Sequence, residues 1–286
     1  SFVIEVASND GYLLQHFKEN GIPHLGIEPT KSTAQAAISK GIETITEFLN
    51  PQLAQKVIGI YKKADLVIGN NVFAHVPDIR GFSDSLALLM SEEGTLVLEF
   101  PHLLKLLEEN SFDTIYHEHI SFYNIKSMKA LCKRAGLNLI DVVKTPIHGT
   151  SYIFIISPSR KAKFTIKNLI AMETAAGLYK EDTYFQYAKN CIHLVDKFTE
   201  KVEYWREQGY KVVGYGAPAK GNTFLNFAKV PFDMIIDDNK MKQGLYTPGS
   251  SVGIVGSEVL KTFTEYDKIL FVPLAWNFFN EIKERI

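Results

Sequence analysis

Cysteine is scarce in this sequence, with only Cys132 and Cys191 among 286 residues. Both lie in segments with a helical pattern, and two such cysteines form neither a disulfide framework nor a cysteine zinc site. Charge of one sign is also lacking, because 31 basic and 32 acidic side chains leave a net charge of -1. Nucleic acid polymers are bound through basic surfaces, so we expect a small-molecule partner instead.

Long apolar runs are absent as well. No stretch approaches the roughly 18 residues of a membrane span, and the N-terminus does not look like a signal peptide. We therefore expect no membrane association and a cytoplasmic location. The composition, 46% hydrophobic and 22% charged, is typical of a globular protein with one large or two ordinary domains.

The first 28 residues predict a strand, a tight turn, a helix and a second strand. An apolar run over residues 2–6 breaks at a polar turn over 8–11, and the next apolar run ends on Glu28. In nucleotide-binding α/β units the N–H groups of this turn face the ligand, and an acid at the tip of the second strand binds ribose hydroxyls. We expect a nucleotide-like ligand here, with an ordinary capped turn as the alternative.

Glycine is nearly missing from this turn. A dinucleotide fold needs Gly-x-Gly-x-x-Gly so that the backbone can approach a pyrophosphate, but only Gly11 is a glycine and Asp10 adds a negative charge. The acidic turn, together with Glu5 inside the first strand, suits a ligand that carries an ammonium and a sulfonium group. We therefore predict S-adenosylmethionine as the cofactor.

Two later strand ends add residues to the same edge of the predicted sheet, since the carboxyl ends of parallel strands meet there. Asn70 and Asn71 follow the apolar run 64–69, and Phe48 follows a short third strand. Phe48 is predicted to lie against an adenine ring, with a position in the core as the alternative. The predicted cofactor-binding residues are Ser8, Asn9, Asp10, Gly11, Glu28, Phe48, Asn70 and Asn71.

Titratable side chains are dense over residues 112–123, which include two histidines, a glutamate and two tyrosines. Histidine titrates near neutral pH and a neighbouring glutamate can fix its tautomer, so this segment is suited to proton transfer. A solvated loop is one alternative. A zinc site of His75, His117 and His119 is another, although neither HExxH spacing nor cysteines support it.

Alternating strands and helices predict a doubly wound α/β sheet. Two consecutive strands, 139–143 and 152–157, predict an antiparallel hairpin at its edge, as in a methyltransferase sheet and not a nicotinamide one. A helical pattern covers 167–208, and a further strand and turn with Gly214 and Gly216 follow. This last unit imitates a dinucleotide fingerprint without its third glycine, so a nicotinamide enzyme is the rival hypothesis.

Six segments carry a family likeness: Glu5-x-x-Ser8-Asn9-Asp10-Gly11, Gly26-Ile27-Glu28-Pro29, Asn70-Asn71-x-x-Ala74-His75, Glu99-Phe100-Pro101-His102, Tyr116-His117-Glu118-His119 and Gly214-x-Gly216-Ala217-x-Ala219-Lys220-Gly221. Together they resemble the class I S-adenosylmethionine-dependent sugar C-methyltransferases, which act on nucleotide-diphosphate-linked deoxy-keto-sugars. The likeness covers essentially the whole chain. It implies an S-adenosylmethionine-binding Rossmann-like domain over 1–158, a helical connector over 159–208 and a Rossmann-like domain for the nucleotide sugar over 209–286.

The resemblance also implies a chemistry. His119, supported by Tyr116 and Glu118, acts as the base that removes a proton next to the ketone, and His75 stabilises the enolate oxygen while the carbon takes a methyl group. The substrate-binding candidates are His102, His148, Tyr215, Lys220 and Asn222.

Members of this family usually carry a cysteine-rich zinc-binding module ahead of the first strand, where this sequence begins. We therefore expect no metal in this chain, and zinc only in such a preceding module. Two alternatives stay open: an NAD(P)-dependent oxidoreductase or epimerase of nucleotide sugars, and a non-catalytic nucleotide-sugar-binding protein. The glycine-poor first turn opposes the former, and the cluster over 116–119 opposes the latter.

Overall fold

A computed structural model of the protein describes residues 1–145 and 151–286. These residues form two compact units. Unit 1 comprises Ser1–Lys105 and Glu118–Tyr179, and unit 2 comprises Leu106–His117 and Lys180–Ile286. The segment 159–208, predicted as a connector, is divided between the units, and the predicted substrate residue His148 lies outside the described residues.

Unit 1 alternates strands and helices along most of its sequence. Its strands are β1 (Val3–Val6), β2 (His24–Ile27), β3 (Thr44–Ile45), β4 (Ala64–Asn70), β5 (Met90–Pro101), β6 (Asn138–Thr145) and β7 (Ser151–Ser157). Its helices are α1 (Leu14–Glu19), α2 (Lys31–Ser39), α3 (Pro51–Ile60), α4 (Ile79–Leu89), α6 (Ile125–Arg134) and α7 (Phe164–Ala175), and α5 (Leu103–Glu108) begins in unit 1.

The strands of unit 1 form a sheet in the order β3-β2-β1-β4-β5-β7-β6 among the described residues. The first five strands are parallel, and β7 is antiparallel to both β5 and β6. The predicted fold class, a doubly wound sheet that finishes in an antiparallel hairpin, is confirmed. Because the chain runs from β1 outward through β2 and β3 and then returns to β4, the strand order reverses between β1 and β4, where open α/β sheets bind ligands.

The fifth strand begins with an irregular pairing. β5 starts at Met90, which pairs with Ala64, and the register shifts before Leu66 pairs with Thr95. Gly94 fits this irregular pairing because a Cβ there would lie 3.0 Å from the carbonyl oxygens of Ala64 and Ser91. β5 thus includes Glu92, Glu93 and Gly94, although glutamate and glycine are depleted in strands.

Stacked aromatic rings fill the core of unit 1. Phe100 stacks on Phe154 and Phe73, with ring centroids 4.5 and 5.5 Å apart, and Tyr123 packs against both Phe73 and Phe100. Offset stacking of buried rings adds about 0.5–1.5 kcal/mol per pair beyond burial of their surface. Phe73 opens the short 3-10 helix Phe73–His75, so this packing also fixes the segment that carries His75.

Unit 2 is built on a smaller parallel sheet with the order β10-β9-β8-β11. Its strands are β8 (Lys211–Tyr215), β9 (Met234–Ile236), β10 (Ile254–Val255) and β11 (Ile269–Pro273), and its α-helices are α8 (Glu181–Glu207), α9 (Ala219–Ala228) and α10 (Phe279–Arg285). Buried apolar residues from β8, β9 and α9 form its core. Among the described residues, no helix is both long and apolar enough to cross a membrane.

Candidate functional site

The turn after β1 has an unusual backbone. Ala7, Asn9 and Gly11 all have positive φ angles, of 58°, 54° and 76°. A left-handed conformation costs about 1–3 kcal/mol in a residue other than glycine and persists only where its surroundings impose it. Here the surroundings include the Glu28 carboxylate, which accepts hydrogen bonds from the N–H of Asn9 at 3.1 Å and of Thr30 at 2.8 Å. Glu28 therefore holds the turn, a role that the sequence did not reveal, and its remaining lone pairs stay available for hydroxyl donors.

Two predicted cofactor residues of this turn pack inward. A Cβ at Gly11 would lie 2.3 Å from Cδ1 of Ile42, so glycine is required by packing as well as by its φ angle. Ser8 is fully buried, and its Oγ lies against Gly26, where a Cβ would be 2.5 Å away. Ser8 thus packs between β1 and β2, but its Oγ has no hydrogen-bond partner among the described residues, so its place in the cofactor site stays a prediction.

Asp10 is already paired. Its Oδ2 lies 2.6 Å from Nζ of Lys40, which also donates a hydrogen bond to the Asp10 carbonyl oxygen. The Lys40 hydrogen bond lowers the pKa of the Asp10 carboxyl group. The sequence indicated a negative charge at this position, whereas in the folded chain Lys40, the residue after α2, supplies a counter-charge.

Two buried acids lie at the edge where the strand order reverses. Glu5 on β1 is 1% exposed and Glu99 on β5 is 9% exposed. Glu5 aligns with Ile68 on β4 and Asn70 aligns with Glu99, so these side chains point to the same face of the sheet. Glu5 was noted only as a sign of ligand charge, and the role of Glu99 was missed, although an acid inside an apolar strand was the available signal.

Each of these acids has an oxygen without a partner. Among the described residues, Oε2 of Glu5 and Oε1 of Glu99 are buried and accept no hydrogen bond. Burial raises the pKa of Glu5 to about 8. A buried polar group left unsatisfied costs about 1–3 kcal/mol, so two such oxygens on one face of the sheet require an explanation. A cationic or hydrogen-bond-donating ligand would provide one.

Tyr12 and Asn70 complete this edge. The Tyr12 hydroxyl group hydrogen-bonds the Asn70 side chain, and its pKa is raised by burial and then by the Glu5 carboxylate. Asn71, with a φ of 51°, donates its N–H to the Glu99 carbonyl oxygen at 2.7 Å. The edge thus combines acceptor oxygens with amides from β4, and it brings the predicted residues Asn70 and Asn71 together with the two acids.

Phe48 is 77% exposed in the loop after β3. This exposure excludes the core position that was the alternative in the sequence. A phenyl ring so exposed costs hydration free energy, which contact with a planar ligand would recover. Phe48 therefore stays a candidate for the adenine contact.

His75 and His119 are neighbours, with ring centroids 4.9 Å apart in an edge-on arrangement. Both are half-buried. The backbone places them together because the N–H groups of Ile120 and Ser121 donate to the carbonyl oxygen of Ala74, at 2.9 and 3.2 Å. The two sequence segments predicted to carry catalytic histidines therefore meet in unit 1.

The other two predicted catalytic residues are divided between the units. Glu118 is exposed and opens the second segment of unit 1, whereas Tyr116, half-buried, belongs to unit 2. Their predicted roles stay predictions. No group of three or more metal-ligating side chains is arranged for a metal ion within the described part of the chain.

His102 is an interior residue, in contrast to its prediction as a substrate contact. It is 1% exposed, its Nε2 lies 2.7 Å from Oε1 of Glu173, and its ring stacks on Tyr152 with centroids 4.1 Å apart. The sequence placed a histidine just past the end of a strand. Only the folded chain showed that α7 covers this position.

Tyr215, another predicted substrate residue, is also buried. It is 4% exposed, and its hydroxyl group lies 3.4 Å from Oδ2 of Asp238, which pairs with Arg285. Its position at the end of β8 suggested an open site. The ion pair between the loop after β9 and α10 instead occupies its hydroxyl group.

Lys220 and Asn222 lie beside cavities in unit 2. Nζ of Lys220 lies 4.9 Å from the ring centroid of Trp276, and Trp276 lines a cavity of about 490 Å³ together with Phe112 and Phe224. Asn222 lines a second cavity of about 270 Å³, and its buried Oδ1 has no partner among the described residues. Both side chains are thus available for a ligand.

The unit that imitates a dinucleotide fingerprint contains Gly216, Gly221 and Asp237, and each of these residues makes a contact within unit 2. A Cβ at Gly216 would lie 2.5 Å from Cβ of Ala275, and one at Gly221 would lie 2.9 Å from Cβ of Leu274. Asp237, at the tip of β9, accepts a hydrogen bond from the N–H of Ala217 at 2.7 Å. Packing against the residues that follow β11 therefore accounts for the two glycines, and a hydrogen bond within unit 2 accounts for Asp237.

Two families and one curated relative match this chain. The family described as "Methyltransferase domain" matches residues 2–142, and the family described as "C-methyltransferase C-terminal domain" matches residues 146–286. The C-methyltransferase NovU of Streptomyces niveus is 31% identical over an alignment that covers 98% of this chain and 67% of NovU.

Solved structures show weaker similarity. Magnesium protoporphyrin IX methyltransferase (ChlM) from Synechocystis PCC 6803, with bound SAM, is 17% identical, with 55% of this chain and 69% of that chain covered and a TM-score of 0.41. A SAM-dependent methyltransferase from Anabaena variabilis is 14% identical, with 54% and 76% covered and a TM-score of 0.43.

The steric requirement at Gly11 can be tested with Gly11→Ala. We expect a loss of about 2 to 4 kcal/mol in the free energy of unfolding, from the left-handed φ angle and the contact with Ile42. Gly21→Ala is the matched control, because Gly21 has a φ of 64° and a Cβ there meets nothing within 4 Å. Urea unfolding of both variants would contradict the packing argument if the two losses were equal.

The buried state of Glu5 predicts a pH dependence. The unfolded chain ionises this carboxyl near its ordinary pKa of 4.5, but the folded chain holds the proton up to about 8. Folding therefore takes up a proton between these pH values, and stability is lost as pH rises. Glu5→Gln removes this loss, so the variant should gain on the order of 4 kcal/mol over wild type by pH 8.

Urea unfolding at several pH values from 4.5 to 8.5 measures this difference. Glu93→Gln is the control, since Glu93 is exposed on β5 and its removal leaves the interior unchanged. The interpretation fails if the two variants differ from wild type by the same amount at every pH.

Proposed function

The chain belongs to the C-methyltransferase family, and we propose that it transfers a methyl group from S-adenosylmethionine to the carbon next to the ketone of a nucleotide-diphosphate-linked keto-deoxysugar. The observation that carries the choice of donor is the pair of buried, unpartnered acceptor oxygens of Glu5 and Glu99 at the edge where the strand order reverses. A donor with an ammonium and a sulfonium group would supply the positively charged partner that these oxygens lack.

The residues at this edge fit the donor in two parts. Glu5, Glu99 and Asn70 would hold the cationic amino acid end, because they offer acceptor oxygens on one face of the sheet. Glu28 would accept the ribose hydroxyl groups with its remaining lone pairs, and the exposed Phe48 would lie against the adenine. When bound, S-adenosylmethionine supplies an electrophilic methyl group.

The histidine pair supports carbon as the acceptor. A C–H next to a ketone is acidic enough for imidazole to remove its proton when the two are held in contact. His119 would take this proton, and the electron pair of the C–H bond moves toward the ketone oxygen. His75, 4.9 Å from His119 between ring centroids, would donate to that oxygen as its negative charge develops. Tyr116 and Glu118 are proposed to support His119.

Features of unit 2 support an acceptor substrate that carries a nucleotide. Phe112, Phe224 and Trp276 give one of its cavities aromatic walls, which suit the flat face of a base. Lys220 beside this cavity offers a point charge for a diphosphate, and Asn222 offers an unpartnered amide oxygen. His148 is carried forward as a further substrate candidate from the family resemblance.

Calorimetric titration with S-adenosylmethionine, S-adenosylhomocysteine and NAD tests the choice of donor. We expect both sulfur compounds to bind and NAD not to bind. Glu5→Gln should weaken S-adenosylmethionine binding about tenfold, whereas Glu93→Gln should leave it unchanged. Because a cationic ligand favours ionised Glu5, affinity should rise as pH increases toward about 8. Binding of NAD alone would overturn the proposal.

Methyl transfer to a panel of nucleotide-linked keto-deoxysugars tests the base. His119→Gln should lower kcat about 100-fold or more, as expected for loss of a general base, while the affinity for S-adenosylmethionine changes less than about twofold. His16→Gln is the control, because His16 is an exposed histidine on α1. Normal turnover by His119→Gln would exclude this residue as the base.

A further inference from the structure

Glu173 is a buried acid that the proposed reaction does not use. It lies on α7 with no exposed surface. Its Oε1 accepts hydrogen bonds from Nε2 of His102 at 2.7 Å and from the N–H of Ile125 at 2.8 Å, and its Oε2 accepts one from the Tyr179 hydroxyl group. One carboxylate thus gathers three donors from three separate parts of unit 1.

Two of these donors lie next to Tyr123, His102 on the neighbouring chain segment and Ile125 two residues later in the sequence. His102 forms a parallel bridge with Tyr123, and the next residue, Leu103, donates its N–H to the Tyr123 carbonyl oxygen at 3.0 Å. Ile125 follows Tyr123 by two residues and opens α6. Glu173 therefore holds the backbone at Tyr123 from both sides, through His102 on one side and through Ile125 on the other.

Tyr123 in turn ends the short segment that begins with His119. Its hydroxyl group donates to the carbonyl oxygen of Phe73 at 3.3 Å. Earlier in the same segment, the N–H groups of Ile120 and Ser121 donate to Ala74. Phe73 and Ala74 belong to the 3-10 helix that carries His75, so the segment 119–123 is attached to that helix at both of its ends.

Stability alone does not explain a carboxylate in this position. Removing an acid from water costs several kcal/mol, and a buried pair of ionisable groups often contributes no net stability relative to apolar side chains of the same size. What Glu173 adds over an apolar residue is direction, because its hydrogen bonds fix where Tyr123 and Ile125 lie. Positioning of the adjacent segment is the remaining role.

We infer that Glu173 is a positioning residue for methyl transfer, acting through His102 and Tyr123 to hold His119 against His75. This inference rests on the proposed function of the two histidines. It assigns no contact between Glu173 and the substrate.

Three variants test the inference. Glu173→Ala removes all three hydrogen bonds, Glu173→Gln keeps an acceptor oxygen for His102 and Ile125, and Tyr179→Phe removes one bond of the same carboxylate outside the path to His119. If Glu173→Ala does not fold, His102→Phe takes its place, because it keeps the stack on Tyr152 and removes only the Nε2 donor.

The first readout is hydrogen exchange at the amides of Ile120 and Ser121, which report the attachment of the segment to Ala74. In Glu173→Ala, or in His102→Phe, we expect exchange at these two amides to accelerate about tenfold or more, with Glu173→Gln and Tyr179→Phe within about threefold of wild type. The second readout is kcat, expected to fall about tenfold in the same variants with unchanged affinity for S-adenosylmethionine.

Two results would overturn the inference. One is unchanged exchange at Ile120 and Ser121 when Glu173 or His102 is replaced. The other is an equal acceleration in Tyr179→Phe, which would indicate general loosening of unit 1. Hydrogen exchange is measured without any substrate. If the wild-type protein methylates no keto-sugar, the proposed substrate is refuted, but the exchange rates still decide whether Glu173 holds the segment 119–123.

Discussion

The pairing of β1 with β2 on one side and β4 on the other is the constraint on which the rest of unit 1 depends. It forces the chain to leave β1 toward one side of the sheet and to return on the other, so the connecting loops diverge at the carboxyl ends of the strands. Glu5, Glu28 and Asn70 all lie at this divergence. The same pairing buries β1 completely, and this burial raises the pKa of Glu5 within the strand.

The turn after β1 and the pair of His75 and His119 are held in place in different ways. In the turn after β1, a side chain holds the backbone. The Glu28 carboxylate accepts hydrogen bonds from the N–H groups of Asn9 and Thr30, next to residues with left-handed conformations. At the histidine pair, backbone holds side chains, because hydrogen bonds to Ala74 bring the carriers of His75 and His119 together.

Much of the fold could be predicted because it is local. The class of sheet followed from alternating apolar runs and from the two consecutive strands β6 and β7, and the family resemblance followed from short motifs. Burial at the strand ends could not be predicted in this way. His102, Tyr215 and Ser8 stand at strand ends where open sites occur, but their burial depends on α7, on the pairing of Asp238 with Arg285 and on β2, which are distant in sequence.

The sequence by itself determined the class of sheet, the glycine-poor turn that disfavours a pyrophosphate, and the segments dense in titratable side chains, because these depend on residue type and spacing along the chain. Only the tertiary structure decided that Glu5 and Glu99 share one face with unpartnered oxygens, that Lys40 neutralises Asp10, and that His75 faces His119. The physical reason is that solvation and charge pairing are set by neighbours in space, and residues far apart in sequence become neighbours only when strand pairing brings them to one edge.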